Sequence, residues 1–133
     1  LISLSTEETV ISTKPQDTIV EEGTNMNLRC AAKWDKRLEI KYKWMKDGAE
    51  LRAIDNPANR IFWNENENLL QIRNVINDDS GRYSCIAYTP GPFSEARASA
   101  VADVAGILIL QFIHSLRSKK YLLKNYYVHS STG

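Results

Sequence analysis

Residues 79–85 read Asp79-Ser80-Gly81-Arg82-Tyr83-Ser84-Cys85, and this stretch decides the fold. Gly81 suits a tight turn, and the chain beyond it alternates. Tyr83, Cys85 and Ala87 share one side, with Arg82, Ser84 and Ile86 on the other. Such alternation is the signature of a strand with one face turned to a core. Three earlier runs behave alike. Met26, Leu28, Cys30 and Ala32 share a face, as do Ile40, Tyr42 and Trp44, and then Leu70 and Ile72. Turn signals separate them: Lys14-Pro15, Glu22-Gly23, Asp47-Gly48, Asn56-Pro57, Asn64 to Asn68 and Pro90-Gly91-Pro92. No amphipathic helical pattern or internal repeat precedes Ala105. The expected class is all-β, a two-sheet sandwich.

Cys30 and Cys85 each fall on the inward side of a strand, and the interval between them holds Tyr42 and Trp44. A disulfide between the sheets, packed on a buried tryptophan, accounts for these placements. Closing so long a loop stabilises a fold by about 4 kcal/mol on a chain-entropy argument, and implies an oxidising compartment. Two buried reduced thiols are the alternative. The cysteines form no CxxC pair and both histidines, His114 and His129, lie far along the chain, so neither a metal nor a cofactor is expected.

Taken together, the residues resemble an immunoglobulin domain of the I-set. The resemblance starts at Cys30 and passes through Trp44, Lys46-Asp47-Gly48 and Leu51. It continues with Leu70-Gln71-Ile72 and Val75 and closes on Asp79 to Cys85. It implies that the Tyr83 hydroxyl bonds back to upstream backbone as a tyrosine corner. It also implies an ion pair between Asp79 and Arg60, with Leu70, Ile72 and Trp44 in the core. The domain so defined spans residues 11–104, after a lead-in or linker over 1–10 and before an atypical basic tail over 105–133.

A finer likeness lies between Cys30 and Trp44, which are fourteen positions apart. Trp34, Asp35 and Leu38 stand at the fourth, fifth and eighth positions after Cys30. That pattern is similar to the sixth immunoglobulin domain of the neuroglian–neurofascin family of neural cell-adhesion receptors. The resemblance implies a non-enzymatic recognition domain in the extracellular part of a membrane receptor. Its partners would be other cell-surface proteins, homophilic or heterophilic. The competing expectation is a structural module of an intracellular muscle-type array. One departure is Ala96 to Ala102, where small residues replace the family's larger aliphatics; alanine is depleted in strands and buries little surface, so weak packing is expected there.

Of 133 residues, 43% are hydrophobic and 25% charged, with a net charge of +1. This excludes a disordered chain, and no global positive field favours nucleic acid. The balance is uneven. Arg117, Lys119, Lys120 and Lys124 lie after Val104 with no acids among them. The apolar run Val104 to Leu110 is short of the roughly 20 residues needed to span a bilayer, so membrane attachment would come only through a longer parent. The tail has three readings: a basic amphipathic helix with Ile107, Leu110, Ile113 and Leu116 on one side, an added edge segment, or non-native sequence, the last preferred.

No catalytic set is present. Ser80 sits in a turn, neither histidine has an acid in its own segment, and Glu65 with Glu67 reads as a solvated hairpin tip. Lys33, Lys36, Arg37, Lys41, Lys43 and Lys46 cluster along the sequence around Trp34. Trp and Arg are enriched at binding hot spots, which makes Trp34, Arg37, Lys41 and Lys43 candidate partner contacts. A solvated strand face is the plainer explanation. Trp63, which has no place in the core motif, is a further candidate. The Tyr88 to Phe93 connection reads equally as a binding tip or a rigid hairpin.

Overall fold

The computed structural model describes residues 5–52, 58–63, 68–106 and 113–117. Among these residues ten strands form in order: β1 (Val10–Thr13), β2 (Thr18–Glu21), β3 (Met26–Arg29), β4 (Ala31–Lys33), β5 (Lys41–Lys46), β6 (Ala49–Glu50), β7 (Ile61–Trp63), β8 (Leu69–Ile72), β9 (Gly81–Pro90) and β10 (Phe93–Ala105). A 3-10 turn, Asn77–Asp79, leads into β9. Residues 113–117 make a single helical turn.

One layer is a five-stranded sheet in the order β2-β10-β9-β5-β6. The other consists of β3-β8-β7 and, at its end, the β1-β4 pair. β3 and β4 are consecutive segments interrupted at Cys30, whose amide donates to the Asn68 carbonyl at 2.8 Å. The result is an immunoglobulin-like sandwich with its strands nearly all antiparallel. β10 and β2 are the exception, running parallel from Ala102↔Thr18 to Ala105↔Glu21.

Alternation places the core. Met26, Leu28, Leu70 and Ile72 come from one sheet, and Tyr42, Trp44, Tyr83 and Ala87 from the other, all buried. Apolar side chains from two inner faces fill the space between sheets roughly 10 Å apart. The bend between β5 and β6 is made by Asp47 and Gly48, both at positive φ (50° and 86°). Glycine adopts that conformation at no steric cost.

β10 meets the alanine-rich segment differently from the expectation of weak packing. Ala98, Ala100 and Ala102 face inward and are buried, standing opposite Cys85, Tyr83 and Gly81 of β9. The Tyr83 ring and the Cys85 sulfur on β9 are matched by small residues on β10. The strand is also the longest, paired with β9 from Phe93 to Ala102. Backbone ladder bonds thus supply what its side chains do not. Ile86, whose parity points it outward, is nonetheless fully buried. It lies mid-sheet between Lys43 and Arg97, whose aliphatic stems are of the kind that cover apolar neighbours.

Candidate contact surfaces

The structural residues gather around the disulfide. Cys30 and Cys85 are joined at 2.07 Å, linking the two layers. Trp44, opposite Cys85 in the β5–β9 ladder, is 1% exposed. Leu70 and Ile72 are fully buried. The Tyr83 hydroxyl donates to the Asp79 carbonyl at 2.5 Å. Burial, then the nearby Asp79 and Asp47 carboxylates, push the phenol far above its ordinary range. The Arg60 guanidinium meets the Asp79 carboxylate through Nη1 at 2.9 Å and Nη2 at 3.2 Å. The Ser80 hydroxyl accepts from the Val104 amide at 2.8 Å, which gives it a fastening role between the turn and β10.

The basic residues that adjoin in sequence do not form one patch. Lys41 and Lys43 alternate with buried Tyr42 and Trp44 and project from the outer face of the five-stranded sheet. Lys43 lies with its ammonium 5.5 Å from the Tyr88 ring, a cation–π distance. Lys46 reaches instead to the Asp78 carbonyl in the 3-10 turn. Lys33 belongs to β4, paired with Val10 in the opposite layer.

Trp34 and Arg37 are held within their own loop. The indole N–H of Trp34 donates to the Leu38 carbonyl at 3.0 Å, and the Lys36 ammonium stands 3.1 Å from its ring centroid. Asp35, only 3% exposed, accepts from the Arg37 side chain at 2.9 and 2.5 Å and from its amide at 3.1 Å. It also accepts from the Glu7 amide at 3.2 Å. Hydrogen bonds from Arg37 hold its carboxyl well below the usual carboxylate range. Arg37 further donates to the Ser5 carbonyl. The signal for this arrangement was the Asp two residues before an Arg, a spacing that favours a local loop closure.

Trp63 is a correction. It packs against the core from β7, together with Ile61, while the residue between them, Phe62, is 40% exposed. The three-residue strand Ile61-Phe62-Trp63 is apolar throughout, so its phase was hidden. The Arg73 guanidinium lies 4.4 Å from the Phe62 ring.

At the end of the sandwich where the chain enters, the hairpin between β9 and β10 is stiffened by Thr89. Its hydroxyl donates to the Pro92 carbonyl at 2.6 Å and accepts from the Ser94 amide at 3.1 Å. Phe93 at the tip is 67% exposed. Beside it lies a depression of about 230 Å³ lined by Thr6, Asp35, Arg37, Leu38 and Pro92. Residues before β1 are attached here too, since the Thr9 amide donates to Ser94 Oγ at 3.0 Å. Glu65, Glu67 and most of the tail, including Ile107 and Leu110, lie outside the described residues; Ile113 is half-buried and Leu116 exposed. No described helix is long and apolar enough to cross a membrane.

The outer face of the five-stranded sheet is therefore the broad surface that brings candidate residues together. Across the ladders it presents Lys41, Tyr88 and Glu95 in one row, and in the next Lys43 and Arg97 on either side of the buried Ile86.

The immunoglobulin domain family model matches residues 9–88. Neuroglian of Drosophila melanogaster is 37% identical over 97 residues, which are 73% of this chain and 7% of that protein. Neural cell adhesion molecule L1 of Rattus norvegicus is 29% identical over 127 residues, 94% of this chain and 10% of that protein. A match of that extent includes residues beyond Val104. The chain thus spans a small part of the relatives it matches. Among solved structures, titin M4 superimposes with a TM-score of 0.61 at 23% identity, covering 76% of this chain and 99% of that one; at such identity the likeness shows the fold alone.

Proposed function

Because this chain belongs to the immunoglobulin domain family, we propose that it is a non-enzymatic adhesion domain of a neuroglian-type cell-surface receptor. It would correspond there to the sixth immunoglobulin domain. Its relatives are cell-adhesion molecules, and the observation that carries the reading is the outer face of the five-stranded sheet. Lys41, Lys43, Tyr88, Glu95 and Arg97 stand there on a rigid platform, with charges of both signs around an aromatic ring. Such a face recognises another protein by complementary charge and apolar contact. The residues 11–104 form the working unit in this reading, and Trp34 and Arg37 shape the loop beside it.

The test is binding of the full chain, displayed on beads, to cells that present neuroglian-type ectodomains. Replacing Lys41 and Lys43 together by Glu should reduce capture several-fold, whereas Lys33→Glu on the opposite layer should not. Equal capture by all three proteins would sink the assignment of this face. The muscle-array alternative is separated by thiol titration of natively isolated protein, unfolded without reductant. Two titratable thiols would exclude an oxidising extracellular compartment.

A further inference from the structure

The five-stranded sheet has an open stretch on β10. β2 pairs with that strand only from Ala102 to Ala105, so among the described residues Phe93 to Val101 is paired on the β9 side alone. The Val101 amide points to the β2 side, where it donates to Asp17 Oδ1 at 2.8 Å. The Val104 amide points the other way, to Ser80 at the start of β9. Main-chain groups alternate in direction along an antiparallel strand. Those of Glu95, Arg97 and Ser99 therefore face the open side with Val101, and no strand of the described residues receives them. All three residues are exposed. Thr9 approaches β10 through the Ser94 hydroxyl and β1 runs beside the strand, but among the described residues none hydrogen-bonds to these amides and carbonyls.

An open strand edge is a template for another strand. We propose that it takes a second copy of this chain, β10 lying antiparallel to β10 about a two-fold axis at Ala96. The charges select that register. Only residues whose main-chain groups face each other can form the hydrogen-bonded pairs, so odd positions must oppose odd positions. A two-fold axis at Glu95 or at Arg97 sets like charges directly opposite, which is destabilising. With the axis at Ala96, Glu95 of each copy faces Arg97 of the other, and Phe93 faces Ser99. On the inner side Ala96 meets Ala96, and Ser94, whose hydroxyl Thr9 already engages, meets Ala98, so the directly opposed residues are all small. Registers shifted toward Asp103 run into the segment that β2 already occupies. The Glu95–Arg97 contact within one copy is loose, at 3.4 Å and exposed, and both side chains are available to exchange partners. Charges that ordinarily deter edge pairing here permit one self-complementary pairing and oppose its neighbours.

This goes beyond the adhesion reading by naming a partner, and it stands on the edge itself. The test is sedimentation equilibrium of the full chain from micromolar to millimolar concentration. A reversible dimer of twice 15.1 kDa is expected. Arg97→Glu alone and Glu95→Arg alone should each weaken self-association about tenfold. The double charge exchange, Glu95→Arg with Arg97→Glu, should restore it, and an equimolar mixture of the two single variants should form a mixed dimer. Far-ultraviolet circular dichroism checks that each variant keeps its sheet. A chain that stays monomeric throughout overturns the proposal, as does a dimer indifferent to either reversal or one that the double exchange fails to restore. A monomer would leave the adhesion reading intact, because that is read from binding to other cell-surface molecules through the sheet's outer face.

Discussion

Arg60 and Asp79 lie nineteen residues apart in sequence, and their side chains meet through two hydrogen bonds of 2.9 and 3.2 Å. Asp79 serves three elements at once. Its carboxylate takes Arg60 and the Ile76 amide, the latter at 2.8 Å, and its carbonyl takes the Tyr83 hydroxyl. The loop before β7, the turn before β9 and β9 itself are tied at one residue.

Arg60→Ala should destabilise the domain by about 1–3 kcal/mol, because it leaves a nearly buried carboxylate without its cation. Arg60→Lys should recover only part of this loss, since a point charge cannot reproduce the planar fork. Urea unfolding midpoints with an unchanged slope check both. A loss confined to a few tenths of a kcal/mol would place the pair among ordinary surface contacts.

Tyr83→Phe keeps the ring in the core and deletes one buried hydrogen bond, so it should cost about 1–2 kcal/mol. A pH effect accompanies it. Burial raises the Tyr83 pKa in the folded state, so the neutral phenol is the form the fold accepts. Its contribution is complete below the ordinary tyrosine pKa of about 10 and is lost progressively as pH rises above it toward the folded value. Unfolding free energies measured from neutral to alkaline pH should fall beyond about pH 10, and more steeply in the natural chain than in Tyr83→Phe.

Trp63 and Phe62 should respond oppositely to truncation. Trp63→Ala removes a side chain packed on the core from an edge strand and should cost about 1–3 kcal/mol, less than a fully buried tryptophan. Phe62→Ala should stay within about 0.5 kcal/mol. Thermal or urea unfolding of the two variants decides the matter, and reversed magnitudes would mean that β7 is phased the other way.

Asp35→Asn should loosen the loop between β4 and β5 without unfolding the sandwich. The amides of Glu7 and Arg37, both bonded to this carboxylate, should exchange with deuterium at least tenfold faster. Because Arg37 holds the Asp35 pKa down, the carboxylate's share of loop order is present above the ordinary value of about 4. It disappears only as pH falls well below that, through the depressed folded pKa. Amide protection at Glu7 should therefore persist in mildly acidic solution.

The fold was legible because Cys30, Trp44, Tyr83 and Cys85 each constrain structure over a long range. Their side chains must meet, and their spacing leaves few ways to do so. Short strands were less readable. Ile61-Phe62-Trp63 has no polar residue to set its phase, so Trp63 looked free while it lay against the core. Sequence proximity also misled at the basic residues. Lys33, Lys36, Lys41 and Lys46 are neighbours in the chain, yet a sandwich sends successive strands to different layers and ends. Loop closures such as Asp35 with Arg37 and Ser5 depend on three-dimensional reach that periodicity does not encode. The burial of Ile86 is likewise a property of its place in the sheet, between two longer side chains.

The bridge between Cys30 and Cys85 also governs how the molecule responds to being stretched. The residues it encloses are removed from any tensile path that runs from one end of the chain to the other. Fifty-five positions separate the two cysteines, which at about 3.3–3.6 Å each amounts to roughly 180–200 Å of contour length. A domain pulled until its sheets part would lengthen by that much less than its reduced form. Single-molecule extension with and without reductant would register the difference directly, and the covalent cross-link would then act as a stop against overextension.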